Sequence, residues 1–175
     1  MRTTDRAKTV PTPYSEHAAA GRRDSDIVVI LDSYPLPAPG ATEPFVVGNE
    51  SQVALAYRVA PVDVERFGFT VNNNEPFCVL LFSRAAFHRL GPPNDEGLGR
   101  HPLAAAGLQW YSIHEVLNSS FMRDHWKFAS PHHLGRHFVL TFQDSTFECV
   151  AADCVIAGVY GSGNIAAREA CGHFC

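Results

Sequence analysis

Histidine, acidic and amide side chains recur at four places in this 175-residue chain: Asn94-Asp95-Glu96 with His101, then His114-Glu115, then His137, then Asp144 with Glu148. Imidazole and carboxylate groups exchange protons near neutral pH, and three of them around an open position hold zinc or non-haem iron. His101, Glu115, His137 and Glu148 are therefore the candidates for acid–base work, with the histidines as proton carriers and a glutamate as base. The set His101, His137 and Glu148 is also a candidate metal site. Asn94, Asp95, Thr141 and Asp144 are the polar groups placed to contact a substrate. Each has a plainer alternative. Asp144 suits a turn, Asn94-Asp95-Glu96 suits solvated loop polarity, and Glu115 suits the rim of a sheet.

Spacing does not decide among these. The residue four beyond His114 is Asn118, so no HExxH helix forms a metal pair. His133 and His137 have helical spacing, but Gly135 lies between them. Cys149 beside Glu148 suggests a thiolate nucleophile, which would require an accessible, electropositive setting. The five cysteines, at 78, 149, 154, 171 and 175, contain no CxxC pair. A phosphate loop, a dinucleotide fingerprint and a serine elbow are likewise missing as motifs, and no cofactor follows from the sequence.

The element that must position these groups is a β-hairpin over residues 136–152. Runs rich in β-branched and aromatic residues, 137–142 and 147–151, flank Gln143-Asp144-Ser145-Thr146. A turn centred on Asp144-Ser145 pairs Phe142 with Phe147 and Leu140 with Cys149. It gathers Phe138, Leu140, Phe142, Phe147, Cys149 and Ala151 on one apolar face. His137, Val139, Thr141, Glu148 and Val150 occupy the other. Cys149 then packs as a small hydrophobe. In this register His137 and Glu148 share a face but stand four steps apart, about 13 Å at the usual strand rise, too far to touch.

Other strands are expected at 26–32 (buried), 53–60, 67–71 paired with 77–82, and 154–160. Residues 108–117 read as strand with helix as the alternative, and Glu115 as strand lies beside Tyr111 and Ile113, which would raise its proton affinity. Helical turns are expected at 83–90 capped by Ser83, along 119–129 with Trp126 on an apolar stripe, and after Asn164. Residues 91–107, with four glycines and three prolines, form a long loop of the kind that handles ligands. Residues 1–25 read as a flexible arm before a single domain over 26–175. The expected class is α+β, mainly antiparallel sheet with two or three short helices, and curling toward a barrel is left open.

Net charge of −4 argues against nucleic acid as a partner, and no apolar run approaches a membrane span. An odd cysteine count without an apolar leader points to a reduced cytoplasmic protein. The strings PNDEGLGRHPLAAAGLQWY, EVLNSS and HFVLTFQDSTFECVA resemble an uncharacterised bacterial family marked by PNDE, HPL and TFxDSTFEC. The likeness spans roughly residues 50–152 and carries no activity with it. It implies that Asp95, His101, Glu115, His137, Asp144 and Glu148 form one cluster. The family has His where Gln143 stands here, which weakens a metal role.

Two functions follow as expectations. One is a small-molecule pocket between the hairpin's non-core face and the 91–107 loop, carrying acid–base or metal-assisted chemistry. The other is a non-catalytic interaction or regulatory protein acting through Trp110, Trp126 and other aromatic surface, or through homo-oligomer formation.

Overall fold

The computed structural model describes residues 25–41, 44–69, 75–125 and 135–174. Nine strands and three short helices make up these residues, an α+β fold of antiparallel sheets that do not close into a barrel. The first sheet holds β1 (Ile27–Ile30), β6 (Ile113–Leu117), β7 (Arg136–Thr141), β8 (Thr146–Ala151) and β5 (Phe87–Gly91), in that spatial order. The second holds β2 (Phe45–Gly48), β3 (Gln52–Arg58), β4 (Phe77–Ser83) and β9 (Asp153–Tyr160).

The sheets pack face to face because each strand alternates. Phe138, Leu140, Phe142, Phe147, Cys149 and Ala151 meet Val53, Leu55, Tyr57, Cys78, Leu80 and Phe82 in one core. Phe82 contacts both Phe138 and Phe147, with ring centroids 5.5 and 5.4 Å apart. On the far side of the second sheet, Ala54, Ala56 and Val79 are covered by Ala166 and Ala170 of α3 (Gly163–Gly172). The outer face of the first sheet is covered by the 91–108 segment, whose Leu98, Leu103 and Leu108 pack on Val116 and Val139. That segment contains two 3-10 turns, Leu98–Arg100 and Ala104–Ala106.

The hairpin faces are those the apolar pattern selects, but its register differs by two residues. The turn is centred on Gln143-Asp144: Phe142 N–H donates to the Ser145 carbonyl, Thr141 pairs with Thr146 and Leu140 with Phe147. A two-residue slip leaves every side chain on its own face, so the hydrophobic pattern cannot detect it.

Several expectations need correction. Residues 83–90 do not form a helix: β4 runs to Ser83 and β5 pairs along β8 from Phe87↔Val150 to Gly91↔Thr146. Cross-strand pairing there outweighs the helix preference of Arg and Ala. Among the described residues no hairpin joins 66–69 to 77–82. Helix α1 (Pro61–Arg66) ends at Phe67, and β4 pairs instead with β3 and β9. Residues 70–74 lie outside the described residues. Strand β1 is not buried: it is an edge strand with Ile27 and Val29 exposed. Ser162 caps α3 in place of Asn164, accepting from Ile165 N–H. Helix α2 covers Ser120–His125. Trp126, His132, His133 and the 1–24 arm fall outside the described residues.

Candidate functional site

Beneath the 98–108 cover, on the outer face of the first sheet, lies a cavity of about 180 Å³. Strand β5 lines it with Phe87 and Arg89, β7 with His137 and β8 with Glu148. His101, Pro102 and Leu103 close it from the cover, Ser120 and Phe121 from the start of α2 (Ser120–His125), and Asp26 from just before β1.

Glu148 is the centre of the network. It is 6% exposed, and its Oε1 accepts from His101 Nε2 at 2.8 Å and from Arg89 Nη2 at 2.7 Å. His137 Nε2 stands 3.8 Å from Oε2. The register slip explains this approach: Glu148 faces Val139, not Thr141, and so lies diagonally two steps from His137. Burial raises the proton affinity of the Glu148 carboxyl. The His101 hydrogen bond, the adjacent His137 imidazole and the charge of Arg89 outweigh burial and hold it well below the usual carboxylate range. Glu148 is thus an ionised anchor and a poor base.

Proton positions follow from the hydrogen bonds. Leu103 N–H donates to His101 Nδ1 at 3.1 Å, which leaves the ring proton on Nε2, pointed at Glu148. A metal ligated through His101 Nε2 would require that proton on Nδ1, directed at another N–H. Among the described residues, no group of three or more His, Cys, Asp or Glu side chains is arranged to hold a metal ion. His137 is held from behind by Ser119, whose Oγ lies 2.8 Å from Nδ1. Among the described residues His137 Nε2 has no hydrogen-bond partner, although the ring is buried. Such an orphaned group costs about 1–3 kcal/mol.

The contacts of Ser119 with His137 and of His137 with Glu148 resemble a nucleophilic triad, but Ser119 is not built as a nucleophile. It is buried, and its Oγ accepts the Met122 N–H, so it serves as the helix N-cap.

The structure therefore brings His101, His137 and Glu148 together and leaves the other candidates elsewhere. Glu115 faces Phe138 on the opposite side of the sheet, in a bidentate pair with Arg136 at 2.8 and 2.6 Å. Thr141 is buried and saturated, accepting from Ser112 N–H at 3.0 Å and donating to the Gln109 carbonyl at 2.7 Å. Asp95 fastens the loop: Tyr111 Oη donates to it at 2.6 Å, and its own N–H donates to the Gln143 carbonyl. Asn94 and Asp144 line a separate, open depression of about 670 Å³ with Arg100 and Ser145. Cys149 is fully buried in the core, which pushes its thiol up to about 12, far from nucleophilic use.

Three residues of the site have no signal in the sequence pattern: Arg89, Ser119 and Asp26. Arg89 was hidden by the helical reading of 83–90; as strand, Phe87 and Arg89 alternate onto the cavity. Asp26 accepts both the N–H and the hydroxyl of Ser120, tying β1 to α2. His114 accepts Gln109 N–H and donates from Nδ1 to the Val139 carbonyl, and burial lowers its proton affinity. It is a neutral latch holding the end of the loop to β7.

Comparison of the chain with protein-family models, with curated proteins and with solved structures returns no match.

Proposed function

We propose that this protein binds a small polar molecule in the cavity beneath the 98–108 cover, and that proton transfer at His137 is the chemistry available there. The observation that carries this reading is the meeting of His101, His137, Glu148 and Arg89 in one cavity whose other walls are Phe87, Phe121, Leu103 and Pro102, with Asp26 and Ser120. Buried ion pairs add little net stability, because apolar side chains of the same volume serve the fold as well. A charged network on a face that elsewhere packs leucine and valine is therefore better explained by a ligand. His137 suits proton transfer because the Ser119 hydroxyl can donate or accept at Nδ1, so Nε2 can hold or release its proton. General acid–base groups of this kind contribute about 10²–10⁴ in rate. A cavity below the usual range of about 300–1,000 Å³ implies an occupant smaller than a drug-sized ligand.

The test is a screen of small polar fragments by ligand-detected NMR against wild type, Glu148→Gln and His137→Gln. Hits that bind wild type and lose most of their affinity in both variants support the reading. Hits indifferent to both substitutions, or none, sink it.

A second reading, self-association or partner binding without catalysis, draws on Trp110, 58% exposed, and on exposed Val155 and Ile156 along the edge strand β9. A tight oligomer in size-exclusion chromatography that is unaffected by His101→Ala and Glu148→Ala would favour it. Among the described residues no helix is long and apolar enough to cross a membrane. Buried Cys78, Cys149 and Cys154 without a disulfide suit a reducing compartment such as the bacterial cytoplasm.

A further inference from the structure

We propose that the occupant of this cavity is a small organic cation, with a primary ammonium group held by Glu148, His137 and Asp26 and its carbon portion against Phe87 and Phe121. This rests on the small-molecule reading above and specifies its ligand class. The argument begins with charge. Of the described residues lining the cavity, Asp26 and Glu148 are carboxylates and Arg89 is the one guanidinium. Both Asp26 oxygens accept, from the Ser120 N–H and hydroxyl, as an ionised carboxylate does. His101 adds no charge, because its Nδ1 is occupied as an acceptor by Leu103 N–H. Two anions against one cation leave the cavity with one uncompensated negative charge. Arg89, moreover, is half outside, with 50% of its side chain exposed, whereas Glu148 is sealed.

The unfilled hydrogen-bonding capacity points the same way. Oε1 of Glu148 carries two bonds, to His101 and Arg89, while His137 Nε2 stands 3.8 Å from Oε2. Among the described residues Nε2 has no partner of its own. One nitrogen can lie within about 2.9 Å of both atoms. An ammonium donating to both fills the spare oxygen and the orphaned ring nitrogen together. His137 can meet it with a bare Nε2, because its proton can move to Nδ1 and be accepted by Ser119 Oγ, 2.8 Å away. Each Asp26 oxygen keeps a lone pair for the remaining N–H. The Phe87 and Phe121 rings, with centroids 4.9 Å apart, line the same cavity, and aromatic rings attract a cation. A carboxylate or phosphate entering the same space would meet Glu148 and Asp26 with like charge.

Propylammonium, propan-1-ol and propanoate differ in the head group at nearly constant size and separate the alternatives. Each is titrated into the full chain at pH 7 and low salt, following the His137 and Phe121 ring resonances. Propylammonium is expected to shift both sets. Glu148→Gln and Asp26→Asn should each weaken it by tenfold or more, with the amide spectrum confirming that the variants are folded. Arg89→Gln, which removes the competing cation, should tighten it. Stronger binding of propan-1-ol or propanoate, or weaker propylammonium binding in Arg89→Gln, overturns the ammonium assignment and leaves the small-molecule reading standing. Silence from all three probes while the fragment screen yields cavity ligands has the same meaning. If the screen also finds nothing, the reading itself fails with it.

Discussion

Glu148 keeps its charge where burial works against it, because His101, His137 and Arg89 together outweigh the lost hydration. That balance has a measurable pH signature. A carboxyl whose proton affinity is lowered by folding binds fewer protons in the native state than in the unfolded one. Its contribution is complete above the ordinary carboxylate value of 4.5 and is lost as pH falls toward its own depressed value. Glu148→Gln should cost about 3 kcal/mol at pH 7, the scale for breaking a buried pair. The gap to wild type should narrow steadily in urea titrations below pH 4.5. A gap that stays constant down to pH 3 would mean that the carboxylate is not held ionised by its neighbours. Thr141 makes a contrasting case on the same sheet face. Thr141→Val leaves Ser112 N–H and the Gln109 carbonyl unpaired. It should cost about 2 kcal/mol in thermal or urea unfolding, while fragment binding in the His137 cavity stays unchanged.

At the scale of elements, the site depends on where α2 begins. Ser119 closes the first turn through Met122 N–H and holds His137 from behind, so a single hydroxyl serves the helix and the ring. Ser119→Ala should cost about 1–2 kcal/mol, typical of a lost N-cap. It should also change the tautomer balance of His137, read from its ring nitrogen shifts. A capping loss with unchanged His137 shifts would show that the hydroxyl does not govern the ring. This is also the scale at which the sequence stops being informative. Local pattern suffices for the hairpin, because apolar residues alternate along both runs and parity alone decides the faces. It places His137 and Glu148 on the side away from the core, under the 91–107 loop. The distance between them depends on the turn centre, which shifts from Asp144-Ser145 to Gln143-Asp144 without changing any face. Arg89 was illegible for a different reason: residues 83–90 contain good helix formers, and only the partner strand β8, some 60 residues on in sequence, makes them a strand. Glu115 lies on the expected strand but on the core-side face, away from the cavity. Its partner Arg136 belongs to a neighbouring strand, and no local spacing reveals that pair.

At the scale of the whole molecule, the two sheets share one core, and three cysteines report on it from different strands. Cys78 of β4, Cys149 of β8 and Cys154 of β9 all lie in that core. Burial pushes Cys78 and Cys149 up to about 12 and raises Cys154 as well. Cys171, near the end of α3, is exposed. Because the three buried thiols sit between the same two sheets, none can reach solvent unless the sheets part. Maleimide labelling followed by mass spectrometry should therefore modify Cys171 quickly in the native protein. Cys78, Cys149 and Cys154 should follow much later and together, at a rate set by global opening. Denaturant should accelerate all three by the same factor, since the same surface is exposed each time. Early labelling of Cys149 alone would show that the β7–β8 ribbon opens by itself. In that case the cavity on its outer face would rest on a mobile floor, and the fixed spacing of His137 and Glu148 on which ligand selection depends would be lost.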